Sequence, residues 1–182
     1  MTTNEELKEV VKLCRDIYVK KAEDYGASWR IMRPTTVTDQ IYIKANRIRT
    51  LQITGTSAVG EGILPEFIGI VNYGVMGLIQ LKYGAAEKVD MDAGQVTALY
   101  DEYIQKCLDL LSKKNQDYDE VWRSMRVSSY VDLILMKIAR TKSIEDHNGK
   151  TIISEGIDAN YMDMINYSLF GLIKLHCEGQ QK

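Results

Sequence analysis

Three carboxylates and one amide near the end of the chain are spaced to cluster on a helix. If residues 154–175 form one helix, Glu155, Asp158, Asp163 and Asn166 fall within an arc of about 140°, because each residue turns the helix by about 100°. Oxygen ligands with space for water suit Mg²⁺, which can bridge phosphates and supply a water that attacks phosphorus. Glu155, Asp158 and Asp163 are therefore candidate magnesium ligands. A solvated first helical turn is the alternative, and it accounts for Glu155 and Asp158 but not for the deeper Asp163.

Two Lys-x-x-Arg pairs offer positive counterparts to these acids. Lys44 with Arg47, and Lys137 with Arg140, each place both cations on one side of a helix. The second pair lies in the apolar run VDLILMKIAR, so its charged ends must extend to solvent or meet anions. The phosphate of a nucleotide and the acidic cluster of the last helix are the two candidate anions.

A Lys-x-x-Asp-Tyr motif occurs twice and ends at Asp24-Tyr25 and at Asp117-Tyr118. An aspartate in the last turn of a helix lies near the negative end of the helix dipole, so each one needs a compensating partner. That partner is either an arginine in a structural salt bridge or a ligand, such as a metal ion or a nucleotide hydroxyl. Trp29 follows the first motif and fits either a core position or a platform on which a base stacks. The candidate arginines are Arg30, Arg33, Arg47 and their copies.

These motifs belong to an internal duplication. The segment KAEDYGASWRIMR at 21–33 returns as KNQDYDEVWRSMR at 114–126, a shift of 114 − 21 = 93 residues. After one inserted residue the shift is 166 − 72 = 94, so that Asn72-Tyr73 matches Asn166-Tyr167. Two copies of about 90 residues are too few for a solenoid and favour one pseudo-symmetric domain, equivalent to a fused dimer. Repeat 1 spans about residues 1–88, and repeat 2 spans about residues 89–182.

The hydrophobic periodicity predicts three helices in each repeat. Repeat 1 has helices at 4–25, from 38 or 39 through 51, and at 64–83; repeat 2 has helices at 92–115, 128–143 and 154–175. Gly69, Gly74 and Gly77 would weaken the third helix unless they permit a close backbone approach, so they indicate a tight helix crossing. The predicted fold is all-α: a duplicated three-helix unit, with about six helices, that forms one pseudo-twofold helical bundle.

Composition narrows the function classes. A net charge of −2 provides no basic surface for duplex nucleic acid. The amino terminus MTTNEELKEV lacks the apolar core of a signal peptide, and the apolar run at 63–81 contains proline, glutamate, asparagine and glutamine, which favours a core helix over a membrane span. Cys14 and Cys107 are repeat equivalents at apolar helix positions, as expected for buried thiols in a reducing compartment. We therefore expect a cytoplasmic protein that binds neither membranes nor duplex nucleic acid directly.

The repeated motifs resemble those of the nucleotide modification associated domain 1 family of phages and bacteria, whose pattern is Lys-x-x-Asp-Tyr-Gly-x-Ser-Trp, Lys-x-x-Arg and Glu-x7-Asp-x2-Asn-Tyr. The first element is complete at 21–29, the second occurs twice and the third is met at 155–167. The chain departs from this pattern in repeat 2, where Asp119 and Val121 replace the glycine and serine, and at Ala159, where the family often has an aspartate. The resemblance covers nearly the whole chain and implies an all-α protein linked to nucleotides or modified bases. The helix arrangement is also similar to that of the all-α NTP pyrophosphatases, by analogy alone, because their Glu-x-x-Glu and Glu-x-x-Asp signature is not evident.

We therefore predict a protein that binds a nucleotide or modified nucleotide, with Mg²⁺ as its cofactor. Mg²⁺-dependent phosphohydrolase activity and assembly into a homo-oligomer are left open, and no catalytic residue is assigned. The alternative is a non-catalytic interaction module whose polar residues form internal ion-pair networks. One site per chain is expected, because repeat 1 retains Glu61 but has Leu64 and Gly69 at the positions of Asp158 and Asp163. The candidate nucleotide-binding residues are Lys137, Arg140, Asp117, Tyr118, Asn166, Tyr167, Lys44, Arg47, Asp24, Tyr25 and Trp29.

Overall fold

The computed structural model describes residues 1–55 and 62–179, which are all-α. Its six long helices confirm the predicted fold class, and within the described ranges no residue is in a β-strand. Two short 3₁₀ turns, Ser28–Ile31 and Val121–Ser124, occupy equivalent positions in the two repeats. Glu61, the expected counterpart of Glu155, lies outside the described residues. The helices are α1 (Thr3–Tyr25), α2 (Pro34–Thr54), α3 (Leu64–Tyr83), α4 (Ala93–Tyr118), α5 (Val127–Asp146) and α6 (Ile157–Leu172).

The helix ends follow from local chemistry. In α1 the Thr2 hydroxyl accepts a hydrogen bond from the Glu5 amide and the Glu5 carboxylate accepts one from the Thr2 amide, which forms a capping box. Gly26, at φ +70°, ends this helix. The α2 helix begins four residues before the predicted Thr38, because Pro34 occupies its first turn, where a missing N–H costs nothing. The last predicted helix is shorter than expected at both ends, and it continues as a π-helical turn over Ile173–Cys177.

The centre of the molecule is the crossing of α3 and α6, the two helices that pack most extensively against each other. A Cβ atom on Gly77 would lie 2.8 Å from the ring of Tyr161, and one on Gly171 would lie 2.8 Å from the ring of Phe67. These contacts are reciprocal, because 77 + 94 = 171 and 67 + 94 = 161. Each repeat therefore inserts an aromatic ring where the other has a glycine, as the two halves of a symmetric dimer would.

The remaining helices form a shell around this crossing. The α2 helix packs on α3, α5 packs on α6, and α2 and α5 also meet, so these four helices form the central bundle. The α1 and α4 helices pack less extensively against it and touch each other. Cys14 of α1 and Cys107 of α4 are buried and free, and burial raises the pKa of both thiols to about 12.

The α3 helix has the length and apolar composition of a membrane-spanning helix, but this is weak evidence for one. Of its most apolar window, 67% is buried inside the fold. The core helix of a soluble protein passes the same test of length and composition, so this burial agrees with the predicted core position of α3.

Candidate functional site

A pocket of about 380 Å³ opens in repeat 1 between α1, α3 and the start of the first 3₁₀ turn. Its volume lies within the range of about 300–1,000 Å³ that is usual for small-molecule sites. Aromatic rings, lysines and one carboxylate surround it, which is the mixture that binds a ligand with both a flat ring and a negative charge. The residues used below are Tyr18, Lys21, Tyr25, Trp29, Lys44, Glu66, Gly69, Asn72, Tyr73 and Met76.

Part of the pocket wall is held rigidly by internal hydrogen bonds. The Tyr18 hydroxyl donates to the carbonyl of Val96 at 3.0 Å. The Asn72 amide donates to the carbonyl of Cys14 at 3.0 Å, and its oxygen accepts from the hydroxyl of Tyr100 at 2.8 Å. These polar groups are already satisfied, so they shape the wall and leave ligand binding to others.

Charge in the pocket comes from Lys21 and Lys44, with Arg47 beside them. Glu66, which is 6% exposed, pairs with Arg47 at 2.6 Å and more distantly with Lys44 at 3.6 Å. Lys21 is exposed and forms no salt bridge with the described residues. Lys44 and Arg47 therefore share the Glu66 carboxylate, and Lys21 adds a further positive charge to the pocket wall.

Two tyrosines at the pocket opening carry hydroxyl groups that form no hydrogen bond with the described part of the chain. Tyr25 is 58% exposed at the end of α1, and Tyr73 is half-buried on α3. Partial burial, followed by the nearby Tyr73 and Asp24, raises the pKa of Tyr25 above its ordinary value. The phenol therefore stays protonated at neutral pH and can donate a hydrogen bond while its ring contacts an apolar ligand surface.

The corresponding place in repeat 2 is occupied by an ion-pair cluster. Asp163 binds Lys114 at 2.8 Å through one oxygen and Lys137 at 2.9 Å through the other. The side chain of Asp163 is 9% exposed and that of Lys137 is 13% exposed, so this pair is almost buried. The predicted convergence of charges on the last helix is thus present, with Asp163 as the anion that meets Lys137.

Tyr167 and Arg140 lie next to this cluster. Burial and the neighbouring Asp163 raise the pKa of Tyr167, while Lys114 and Arg140 act in the opposite direction. Arg140 is exposed and, together with Lys137 and Glu155, lines an open depression of about 700 Å³ on the repeat 2 surface. The predicted residues Lys137, Arg140 and Glu155 therefore lie around one depression, which is more open than the repeat 1 pocket.

The three predicted magnesium ligands are not brought together. Both oxygens of Asp163 bind lysines, Glu155 lies in the open depression, and the exposed Asp158 lines a different one beside Lys82 and Lys106. Across residues 1–55 and 62–179 no group of three or more His, Cys, Asp or Glu side chains is arranged to hold a metal ion. Magnesium binding remains a prediction, but the residues proposed for it do not fit a magnesium site.

Several other predicted site residues have structural surroundings that differ from expectation. Asp24 and Asp117 are exposed and form no salt bridge with the described residues, so neither is neutralised by an arginine as the helix-dipole argument suggested. Tyr118 is 66% exposed. Asn166 is buried, and its amide donates to the carbonyl of Cys107 at 3.3 Å, away from solvent.

Both tryptophans, for which the sequence left core packing and base stacking open, are buried. Trp122 is buried in the core and stacks on Phe170, with ring centroids 4.2 Å apart and an interplanar angle of 5°. Trp29 is 8% exposed and also lines the pocket, where Met76 occupies the position equivalent to Phe170 (76 + 94 = 170).

Most residues of the pocket, among them Lys21, Glu66, Gly69 and Tyr73, were not among the predicted site residues. Tyr73 is the repeat equivalent of the predicted Tyr167 (73 + 94 = 167). Lys21 begins the repeated Lys-x-x-Asp-Tyr motif, so its recurrence as Lys114 was a usable signal. Glu66 has no acidic copy in repeat 2, where Asn160 replaces it. Gly69 was assigned to the helix crossing; the structure instead places it against Lys44, whose Cδ and Cε atoms lie 3.1 Å from the position of an added Cβ.

The family model described as nucleotide modification associated domain 1 matches residues 21–81 and 114–175. These two segments cover more than half of the chain and coincide with the two repeats. The chain belongs to this family. No curated protein and no solved structure matches the chain significantly. Both the repeat 1 pocket and the Asp163 cluster lie within the matched segments, apart from a few residues of α1 that precede them.

Proposed function

We propose that this member of the nucleotide modification associated domain 1 family binds one nucleotide or modified nucleotide in the repeat 1 pocket. The base contacts Tyr25 and Tyr73, and the phosphate lies near Lys21 and Lys44. The observation that supports this most directly is that one pocket of about 380 Å³ combines aromatic rings with two lysines inside a matched segment. Aromatic rings recognise bases by stacking, and lysines recognise phosphates as point charges.

Binding is tested with the full chain by calorimetry and by thermal shift, using nucleosides and their mono-, di- and triphosphates. Because a ligand that binds only the folded state raises the melting temperature, a bound nucleotide gives a concentration-dependent shift. Each measurement is made with and without Mg²⁺, which also tests the predicted cofactor. Release of phosphate or pyrophosphate is followed in the same samples to test phosphohydrolase activity.

The duplication supplies matched controls for the position of the site. Tyr25→Ala and Tyr118→Ala change equivalent tyrosines that are 58% and 66% exposed, so both should leave the fold intact. We expect Tyr25→Ala to weaken nucleotide binding about tenfold, the equivalent of about 1.4 kcal/mol, and Tyr118→Ala to leave it unchanged. Equal losses in both variants would move the site out of the repeat 1 pocket. Absence of binding by every nucleotide at millimolar concentration would refute the proposal as a whole.

A second candidate function, a non-catalytic interaction module held together by internal ion pairs, is favoured by one observation. The almost buried carboxylate of Asp163 uses both oxygens to bind lysines of its own chain, which is the arrangement of a structural network. This accounts for repeat 2 but not for the pocket in repeat 1. We therefore regard the network as the role of the repeat 2 cluster and the pocket as the functional site.

A further inference from the structure

The two repeats keep the same lysines but differ in what lies between them. Lys21 and Lys114 are equivalent (21 + 93 = 114), and so are Lys44 and Lys137 (44 + 93 = 137). The third position differs, since Gly69 of repeat 1 corresponds to Asp163 of repeat 2 (69 + 94 = 163). A carboxylate is therefore present on one side of the pseudo-twofold axis and a hydrogen atom on the other.

In repeat 2 the two lysines hold this carboxylate from two sides. The Lys114 ammonium lies 2.8 Å from one oxygen of Asp163, and the Lys137 ammonium lies 2.9 Å from the other. This geometry defines a position at which an anion is bound by two ammonium groups: Lys114 donates a charge-assisted hydrogen bond and Lys137 forms a salt bridge. Nothing outside the chain is needed to complete it.

In repeat 1 the position equivalent to Asp163 is Gly69, so the equivalent lysines meet no carboxylate from that position. Lys21, Lys44 and Gly69 line the same pocket, and the chain atoms of Lys44 lie over Gly69 at 3.1 Å from the position of an added Cβ. Among the described residues that line this pocket the acid is Glu66, which binds Arg47 at 2.6 Å and lies 3.6 Å from Lys44. Glu66 thus lies one helical turn before Gly69 and contacts Arg47 more closely than Lys44.

We propose that Asp163 is an internal substitute for the anionic group of the ligand, and that the ligand of repeat 1 binds its phosphate against Gly69, between Lys21 and Lys44. This inference rests on the proposed nucleotide-binding function and specifies the phosphate position within it. It also gives a reason for one site per chain, because repeat 2 satisfies its own lysines. Gly69 is required in repeat 1 because any side chain there would enter the phosphate position.

Two exchanges between the repeats test this. Gly69→Asp introduces the internal carboxylate into repeat 1, and Gly69→Asn introduces a side chain of the same shape without charge. The three atoms nearest to the added Cβ all belong to the flexible chain of Lys44, so the fold should tolerate both. Calorimetric titration with inorganic phosphate and with nucleoside monophosphates should show an affinity at least tenfold weaker for Gly69→Asp than for wild type. The melting temperature of Gly69→Asp should be higher than that of Gly69→Asn.

The reverse exchange, Asp163→Gly, should add a phosphate site in repeat 2 and raise the stoichiometry from one to two per chain. If this variant is too unstable to titrate, its melting temperature should rise with phosphate more steeply than that of wild type. A free phosphate and the phosphate of a nucleotide are distinguished by comparing inorganic phosphate, the nucleoside and its monophosphate.

A measurement that needs no ligand is a double-mutant cycle that combines Gly69→Asp with Lys21→Ala and compares the melting temperatures. If the new carboxylate binds Lys21, the rise in melting temperature caused by Gly69→Asp should be largely lost in the double variant. Coupling without any nucleotide binding by wild type would support the anion position and refute the proposed function. Nucleotide binding by wild type that is equally strong in Gly69→Asp, with no coupling to Lys21→Ala, would refute the inference and leave the proposed function standing.

Discussion

The carboxylate of Asp163 is almost enclosed by protein, and two lysines neutralise it. Removing charges from water is costly, and their mutual attraction offsets this cost only while both partners are present. Lys137, whose side chain is 13% exposed, depends more on the pair than Lys114, which is 50% exposed. For Lys114, burial lowers the pKa, but the hydrogen bond to Asp163 and the charges of Asp163, Tyr167 and Glu155 together outweigh it, and the net pKa is raised.

Asp163→Ala should therefore destabilise the protein by about 3 kcal/mol, because it leaves the ammonium of Lys137 almost buried without a partner. The measurement is the free energy of unfolding in urea. Asp158→Ala, at an exposed position of the same helix, is the matched control and should change stability by less than about 0.5 kcal/mol. A near-neutral result for Asp163→Ala would remove the support for a structural network in repeat 2.

Glu145 is a second carboxylate whose surroundings determine a measurable pH dependence. Burial raises its pKa above the ordinary value of 4.5, as do Asp39 and Asp146, although it accepts a hydrogen bond from the Thr38 hydroxyl at 2.9 Å. Lys142 acts in the opposite direction. Since the folded state binds the proton more tightly than the unfolded state, this group's contribution to stability is fully present below pH 4.5 and is lost as the pH rises through the folded pKa.

Glu145→Gln should therefore raise the melting temperature at pH 7, where the wild-type carboxylate is ionised at a cost. The gain should be below about 1 kcal/mol, because the side chain is only half-buried and solvent screens it. The amide oxygen can still accept the hydrogen bond from Thr38. Melting curves between pH 3.5 and 8 should show the difference vanish at the acid end. Glu87→Gln, at an exposed loop position, should show no such pH dependence, and a constant offset for Glu145→Gln would contradict the assignment.

At the scale of elements, the crossing of α3 and α6 holds the two repeats together. The rings of Tyr161 and Phe67 pack against Gly77 and Gly171, and both residues are fully buried. The Tyr161 ring is fixed further, because its hydroxyl donates to the carbonyl of Pro34 at 3.0 Å. Because protein interiors are close-packed, an added methyl group at this crossing would displace the neighbouring side chains.

Gly77→Ala and Gly171→Ala should each destabilise the protein by about 2 kcal/mol. Alanine is favoured over glycine in a helix by about 1 kcal/mol, but the new methyl group would meet a ring carbon at 2.8 Å and overpack the core by up to about 3 kcal/mol. Urea unfolding of the two variants should give similar losses, since the contacts are pseudo-symmetric. Gly62→Ala, where an added Cβ meets nothing within 4 Å, is the control. A gain in stability for Gly77→Ala or Gly171→Ala would show that α3 and α6 can move apart enough to accommodate the methyl group.

The helices were predictable because their apolar spacing is regular and the duplication supplied each pattern twice. The start of α2 was predicted too late, at residue 38 or 39, whereas Thr38 is fully buried inside the helix that Pro34 begins. The candidate site was harder to predict. Spacing on α6 placed Asp158 and Asp163 on one arc, but the directions of Lys114 and Lys137 depend on how other helices pack. The role of Gly69 arises from the absence of a side chain, which no pattern of chemistry-bearing residues reveals.

At the scale of the whole molecule, the two repeats have the same order of helices and 3₁₀ turns but differ in their side-chain contacts. The amides of Asn72 and Asn166 donate to the carbonyls of Cys14 and Cys107, which are equivalent. The oxygen of Asn72 also accepts from Tyr100. The oxygen of Asn166 is buried and accepts no hydrogen bond from the described residues, because Leu7 stands at the position equivalent to Tyr100 (7 + 93 = 100). The pocket differs between the repeats as well, since Gly69 of repeat 1 corresponds to Asp163 of repeat 2. The two repeats therefore share an arrangement of helices but differ in their interior side chains.

A chain built as a fused dimer should not fold as separate halves. Fragments 1–91 and 92–182 divide the molecule in the loop before α4, which keeps Asp90 with its partner Arg30 and the Asp92 cap with its helix. Each fragment alone exposes the apolar face of α3 or α6 that the other repeat covers, and a core of this size is marginal without it. We expect each fragment alone to lack a cooperative melting transition or to self-associate, and an equimolar mixture to recover the helical circular dichroism of the intact chain. Light scattering should then give a one-to-one complex, whereas two monomeric fragments that melt cooperatively on their own would show that the repeats are independent domains.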